Sequence, residues 1–264
     1  MGGGVLNIAG TVRFVSDLHL RSDRPDLSER FSRFLTECGA QHIAALFILG
    51  DLFEYWIGDD NLGDPFTADI VVKLRQLSDS GTQLFFVHGN RDFLIRSSFA
   101  AATGANLLPE QSVLDIAKTQ VGAGTTPSSE TLRVLLLHGD ALCTDDHAYQ
   151  NFRRLARTDE WQENFLAKSL DTRRAEVAEL RRQSTEAVRQ KSAEIMDANE
   201  LAVRHTLAAS GCHIMIHGHT HRPGHEIVDA TTGSERWVLS DWDVDRGDAL
   251  EIKAAKIQRL DWSR

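Results

Sequence analysis

Five short words in the chain end in residues that bind metal ions or move protons. They are "SDLH" (Asp17, His19), "LGD" (Asp51), "GNRD" (Asn90), "LHGD" (His138) and "GHTH" (His219, His221), each at the C-terminal end of an apolar run. Carboxylate and carboxamide oxygens mixed with imidazoles suit Mn²⁺, Fe²⁺ or Zn²⁺ better than Ca²⁺ or a thiolate zinc site. Seven donors are too many for one tetrahedral ion. They are enough for two ions sharing one carboxylate, an arrangement that clamps the attacking and leaving oxygens of a phosphoryl transfer. Each residue alone has an ordinary explanation as a turn former or a hydrogen-bonded core histidine; the ordered set points to a dinuclear site. "ILGDLFEYWIGDD" (48–60) adds Glu54, Asp59 and Asp60 beside Asp51. Two cations would remove the burial penalty on such a carboxylate.

These words need strands to carry them to a common edge. "VRFVSD" (12–17), "IAALFILGD" (43–51), "QLFFVHGN" (83–90) and "LRVLLLHGD" (132–140) are short, apolar and closed by polar or glycine turns, which predicts buried strands. Helical patterns at about 27–38 and 67–79 separate the first three, so an α/β sandwich is expected. "KTQVGAGTTPSSET" (118–131) is expected as a loop between strands. From 147 to 209 the pattern becomes continuous helix without proline, and residues 151–191 set ten Lys and Arg against seven Asp and Glu. Strands are expected again at "CHIMIHGHTH" (212–221), "RWVLSDW" (236–242) and "ALEIKAAKIQRL" (249–260). The chain thus divides into a core of 1–146 and 210–264 and a helical insertion of 147–209.

The bulk properties agree with a metal-binding α/β enzyme. A chain of 264 residues can bury a substantial core as one domain with an insertion. Its net charge of −9 argues against a general nucleic-acid binder. Cys38, Cys143 and Cys212 have no CxxC spacing, which fits a reducing compartment. The N-terminus lacks a charged region followed by an apolar one, so no secretory signal is expected. No apolar stretch approaches the roughly 20 residues that span a bilayer.

The ordered set D-x-H, G-D, G-N, H and G-H-x-H resembles the calcineurin-like metallophosphoesterases. That resemblance implies a four-layer α/β/β/α sandwich with a dinuclear site on loops at strand ends. It assigns one metal to Asp17, His19 and His221 and the other to Asn90, His138 and His219, with Asp51 bridging. The superfamily usually reads G-N-H-D/E, whereas "GNRD" puts Arg91 in the histidine position. A guanidinium cannot be a general acid at neutral pH, but its fork can grip a phosphate or diphosphate. This departure counts against a generic protein phosphatase.

Longer words narrow the resemblance. "GDLFEYWIGDD", "HGNRDFL", "HGDALCTDD", "KSAEIMDAN" and "IHGHTHRP" lie between about Val12 and Trp242. They closely resemble the UDP-2,3-diacylglucosamine hydrolases of Gram-negative lipid A synthesis. The resemblance implies release of UMP and 2,3-diacylglucosamine 1-phosphate (lipid X), with two Mn²⁺ ions activating a water. Asp51, Asn90, Arg91 and His219 would be catalytic, and Asn90, Arg91, Asp146, Ser184, Lys191 and His219 would contact substrate. Val188 replaces a polar residue of the family pattern and carries no role. The 147–209 insertion would be a cap holding the acyl chains, with Phe53, Tyr55, Trp56 and Ile57 walling the pocket. A lipid-linked UDP-sugar substrate implies peripheral attachment to the cytoplasmic face of the inner membrane; a monomer without a nucleic-acid partner is expected. Arg173, Arg174, Arg181 and Arg182 are the candidate headgroup contacts. His88, His217 and Cys143 are expected to be structural, and Asp140 to orient a ligand. Two rivals remain: a nucleotide diphosphatase or dinucleoside polyphosphatase of the same fold with a small polar pocket, and a metal-free binding scaffold.

Overall fold

The structure is a computed structural model that describes residues 5–117, 131–190 and 195–264. Most of the expected 118–131 loop, and Lys191, lie outside the described residues.

Two six-stranded sheets stack face to face. One contains β2 (Val12–Val15), β3 (Ala45–Ile48), β4 (Gln83–Val87), β5 (Ala105–Leu108), β11 (Asp248–Lys253) and β12 (Lys256–Asp261), in the order β12-β11-β2-β3-β4-β5. The other contains β1 (Leu6–Ile8), β6 (Ser112–Ala117), β7 (Thr131–Leu136), β8 (Ile214–His217), β9 (Gly224–Asp229) and β10 (Ser234–Val238), in the order β1-β6-β7-β8-β10-β9. β2, β3 and β4 pair in parallel with Phe14, Phe47 and Phe85 in register, so their rings stack at centroid distances of 5.2 and 4.7 Å. Because strand side chains alternate, this aromatic row faces Leu114, Val134 and Ile216 of the second sheet. The neighbours Val15, Leu46 and Phe86 face outward onto helices α1 (Pro25–Ala40), α2 (Pro65–Asp79) and α3 (Ser97–Thr103).

Local sequence explains these helices. α1 starts with proline in its first turn and buries Leu27, Phe31, Phe34, Leu35 and Cys38, a stripe at helical spacing. Asp64 caps α2 by accepting from the amides of Phe66 and Thr67. On the far side, α7 (Glu200–Ser210) buries Val203 and Leu207 against Leu135 and Met215 of the second sheet. Layers therefore run α, β, β, α, the calcineurin-like arrangement expected from the sequence.

Among the described residues of 147–209 there are four helices, with a break already at Thr158. α4 (His147–Ala156), α5 (Asp159–Leu166) and α6 (Leu170–Gln190) precede α7, which belongs to the outer layer of the sandwich. Thr158 stops the run because its hydroxyl accepts from the Trp161 amide and starts α5. A second difference lies at "ALEIKAAKIQRL", which is a hairpin of β11 and β12. Ala254 and Ala255 turn it with φ of 48° and 61°, without the glycine or asparagine that marks such turns. Among the described residues no helix is long and apolar enough to cross a membrane.

Candidate metal centre and its adjoining cleft

The strand ends converge as their pairing requires. β2 and β3 deliver Asp17 and Asp51, β4 delivers Asn90, β7 delivers His138 and β8 leads to His219 and His221. Past the strands, the loops are stitched together by Asp17 N to Gly50 O (3.1 Å), His19 N to Asp51 O (3.0 Å) and Gly218 N to His138 O (2.8 Å). Asp92 braces two of them, its carboxylate accepting from Leu52 N at 2.8 Å and Gly89 N at 2.9 Å.

Among the described residues, eight non-glycine positions have positive φ. Five are Asp17 (54°), His19 (48°), Asp51 (52°), His219 (66°) and His221 (54°). A left-handed backbone costs an L-residue roughly 1–2 kcal/mol, least for short polar side chains. Such strain concentrates where surrounding structure over-determines a functional geometry.

Among the described residues, carboxylate and imidazole donor atoms within 4.8 Å of one another form two groups: Asp17, His19 and His221, and Asp17, Asp51 and His138. His19 Nε2 lies 3.3 Å from His221 Nε2, and the two are 3.8 and 3.4 Å from Asp17 Oδ1. His138 Nε2 lies 3.0 Å from Asn90 Oδ1 and 3.7 Å from Asp51 Oδ1. Its Nδ1 donates to the Leu49 carbonyl at 2.8 Å, which turns Nε2 toward the cluster. His219 packs edge-on to His138 at 5.0 Å and stacks on Tyr149 at 5.9 Å, and its amide donates to Asp17 Oδ2.

Three observations fit this cluster to metal ions. Asp17 Oδ1 is buried without a hydrogen-bond partner, which is costly unless a cation meets it. Gly89 and Gly218 leave room where a Cβ would come within 2.0 Å of Asp51 Oδ1 and 2.1 Å of Asp17 Oδ2. The donor set is the oxygen and imidazole mixture of divalent transition-metal sites.

Electrostatics prepare the donors. Burial, reinforced by neighbouring positive charge, pushes His19 and His219 down to about 3, so both are neutral near pH 7. Burial opposes the Asp17 charge, but His221, His138 and His19 hold its carboxyl below the usual range. Burial drives Asp51 up to about 7. His138 goes the other way: burial disfavours its charge, yet Asp51, Asp17 and Asp140 together raise it to about 9.

A cleft of about 400 Å³ opens beside these residues, between the 54–56 and 90–94 loops and helices α4, α5 and α6. Its wall is largely apolar, including Trp56, Leu94, Trp161, Phe165 and Val177, with Asn90 and Arg91 where it meets the donor cluster. Tyr55 and Trp56 line it as expected, whereas Phe53 and Ile57 are buried in the fold. Ser184 lines the cleft. Asp146 is positioned at the start of α4, where its carboxylate accepts from the Tyr149 amide at 3.1 Å.

Several contacts around the site carry no local signal in the sequence. Arg157 donates to the Gly89 carbonyl at 2.8 Å and lies over the Phe93 ring at 5.1 Å. Asp140 accepts from Tyr149 Oη at 2.9 Å and Arg153 Nε at 2.7 Å, fixing the ring that stacks on His219. Arg181 pairs with Glu54. For Arg157 the only sequence signal is the positive surplus of the insertion; Asp140 is the expected orienting residue, and Arg181, expected at headgroups, lines the cleft beside Glu54. Arg173, one of the expected headgroup contacts, is buried and pairs with Asp60 and the Ile57 carbonyl, so it cannot reach a surface. His88 faces the Ile95 carbonyl at 2.8 Å, His217 is fully buried beside Gly218, and Cys143 packs against the Met196 carbonyl.

Comparison with known proteins agrees with this geometry. Residues 10–223 match the family model described as calcineurin-like phosphoesterase. The chain is 43% identical over 251 residues to a protein of Chromohalobacter salexigens named UDP-2,3-diacylglucosamine hydrolase, covering 95% of this chain and 96% of the other. Proteins of the same name from Chromobacterium violaceum (42% identical, 94% and 98% covered) and Serratia proteamaculans (41%, 94% and 97%) are similar along their whole length. The chain belongs to the calcineurin-like phosphoesterase family, in the group formed by the UDP-2,3-diacylglucosamine hydrolases.

Proposed function

We propose that the protein hydrolyses the diphosphate of UDP-2,3-diacylglucosamine to UMP and 2,3-diacylglucosamine 1-phosphate (lipid X), with two Mn²⁺ ions as cofactor. The observation that carries this reading is the junction of an oxygen and imidazole donor cluster with a mostly apolar cleft of about 400 Å³. A soluble nucleotide diphosphate would need the first feature but not the second. A metal-free scaffold would need neither.

Asp17, His19 and His221 would hold one ion and Asn90, His138 and His219 the other, with Asp51 between them. Bound there, the ions would supply a water acidified at neutral pH and positive charge for the diphosphate. The chain's own groups do the rest. Asp51 is oriented by the Arg91 amide, which donates to its Oδ1 at 2.9 Å. Arg91 lines the cleft where it meets the donor cluster, so its guanidinium would grip the diphosphate and balance charge as the bridging bond breaks. Arg157, tied to the Gly89 carbonyl, adds a further cation to the cleft wall. Helices α4, α5 and α6 act as the cap over the acyl chains and exclude water from the diphosphate end. Ser184 faces the sugar and phosphates from α6, with Asp146 and Lys191 as further substrate contacts. A lipid substrate suits an enzyme working peripherally at the cytoplasmic face of the inner membrane, and the chain is proposed to act as a monomer.

The test is UMP release from UDP-2,3-diacylglucosamine with Mn²⁺ and with a chelator, beside UDP-N-acetylglucosamine as a chain-free control. Mn²⁺-dependent turnover of the lipid substrate alone supports the reading. Turnover of the control alone overturns the lipid assignment and keeps the metal site.

A further inference from the structure

The two histidines that face each other across Asp17 are each backed by a carboxylate. His221 Nδ1 lies 3.5 Å from Asp241 Oδ2, and His19 Nδ1 lies 3.5 Å from Glu54 Oε2. The carboxylates are anchored differently. Asp241 is held by both arms of Arg246, at 2.8 and 2.6 Å, within the sandwich. Glu54 is held by Arg181 of α6, in the cap. Arg181 also lies over the Tyr55 ring at 5.9 Å. It lines the cleft with Glu54 and Tyr55, so the ion pair joins the cleft wall to the donor cluster.

We infer that Glu54 is a positioning residue that links the cap to metal binding. One carboxylate oxygen orients His19 through Nδ1 while the other is tied to Arg181 of α6, so the placement of α6 and occupancy of the Asp17, His19 and His221 site are thermodynamically coupled. His19 Nδ1 is buried without an aligned hydrogen-bond partner. A small rotation toward Glu54 gives it one and presents Nε2 to an ion, as outer acceptors commonly do for ligating imidazoles. The backbone already fixes the approach, since Glu54 N donates to the Leu20 carbonyl at 3.1 Å and Leu20 bridges to Phe53. Coupling of this kind is reciprocal: whatever holds α6 down favours the ion, and the ion favours α6 in place. Loading the cleft would therefore complete the metal centre from the substrate side, a mode of control that Asp241 cannot provide.

This inference rests on the metal-site reading above, and Mn²⁺ binding rather than turnover tests it. Free Mn²⁺ is followed by electron paramagnetic resonance during titration of wild type, E54Q, R181M, D241N, D17N and the doubles E54Q/R181M and D241N/R181M. The expected result is that E54Q weakens one of two Mn²⁺ sites by about 10- to 100-fold. R181M should weaken the same site by a smaller factor, and E54Q/R181M should bind no worse than E54Q alone. D241N and R181M should instead multiply independently. If E54Q only lowers the melting temperature and leaves both affinities intact, Glu54 is merely packing and the inference fails. If R181M leaves affinity unchanged, or its effect multiplies with that of E54Q, the link to the cap fails. D17N separates the two levels: wild-type Mn²⁺ binding in D17N overturns the site itself, whereas its loss there with intact binding in E54Q overturns only the coupling.

Discussion

A methyl group on Gly89 would lie 2.0 Å from Asp51 Oδ1 and 2.4 Å from Asp51 N. The two loops that carry Asp51 and Asn90 thus meet backbone against side chain, with Asp92 holding both amides. Gly89→Ala must push Asp51 away. The expected outcome is a loss of about 1–3 kcal/mol in stability, with Mn²⁺ stoichiometry below that of wild type. Thermal unfolding and metal analysis of the same preparation check it, and a stable, fully loaded variant would contradict the packing described.

Arg91→Ala should lower kcat with saturating Mn²⁺ by about 10²–10³-fold, the usual effect of removing one donor to developing charge. Arg91→Lys should recover only part, because an ammonium cannot reproduce the fork. Mn²⁺ affinity should stay near wild type in both, since the contact with Asp51 is made by the position 91 backbone amide.

Val177→Trp narrows the cleft from α6 without touching the donor cluster. It should raise KM for the diacylated substrate by at least about tenfold, the scale set by burying or excluding a few methylene groups. Mn²⁺ binding should not change. An unaltered KM would show that the chains bind elsewhere.

Metal binding should release protons near neutral pH. His138 is raised to about 9 by its carboxylate neighbours, and Asp51 is raised to about 7 by burial, so at pH 7 the pair still carries protons that ligation must displace. His19 and His219, lowered to about 3, contribute none. Mn²⁺ affinity should therefore rise with pH between about 6 and 9. Calorimetry in buffers of different ionisation enthalpy reads the proton count; zero release at pH 7 would contradict the raised pair.

Much of this was readable because catalytic words sit where apolar runs stop. Asp17, Asp51, Asn90 and His138 each follow a strand buried enough to be recognised from composition, and the parallel register then brings the ends together. The Ala254–Ala255 turn was not readable, because tertiary pairing of β11 with β12 forces two alanines into a conformation their side chains do not advertise. The break at Thr158 was missed for a related reason, since one hydroxyl accepting from the Trp161 amide outweighs a helical composition. Arg173 is a sharper case. Its charge suggested a surface, yet Asp60 and the Ile57 carbonyl let it be buried, a partnership between residues 113 positions apart that no local pattern carries.

The left-handed backbone at Asp17, His19, Asp51, His219 and His221 also sets what a substitution there would change. Each position is one that glycine would occupy with less strain, by about 1 kcal/mol. Glycine would relieve the backbone at each of them, but at Asp17 and Asp51 it would also remove the acceptors of the His219 and Arg91 amides. At these two positions the fold's own hydrogen bonds therefore help to hold the strained backbone, whether or not an ion is present.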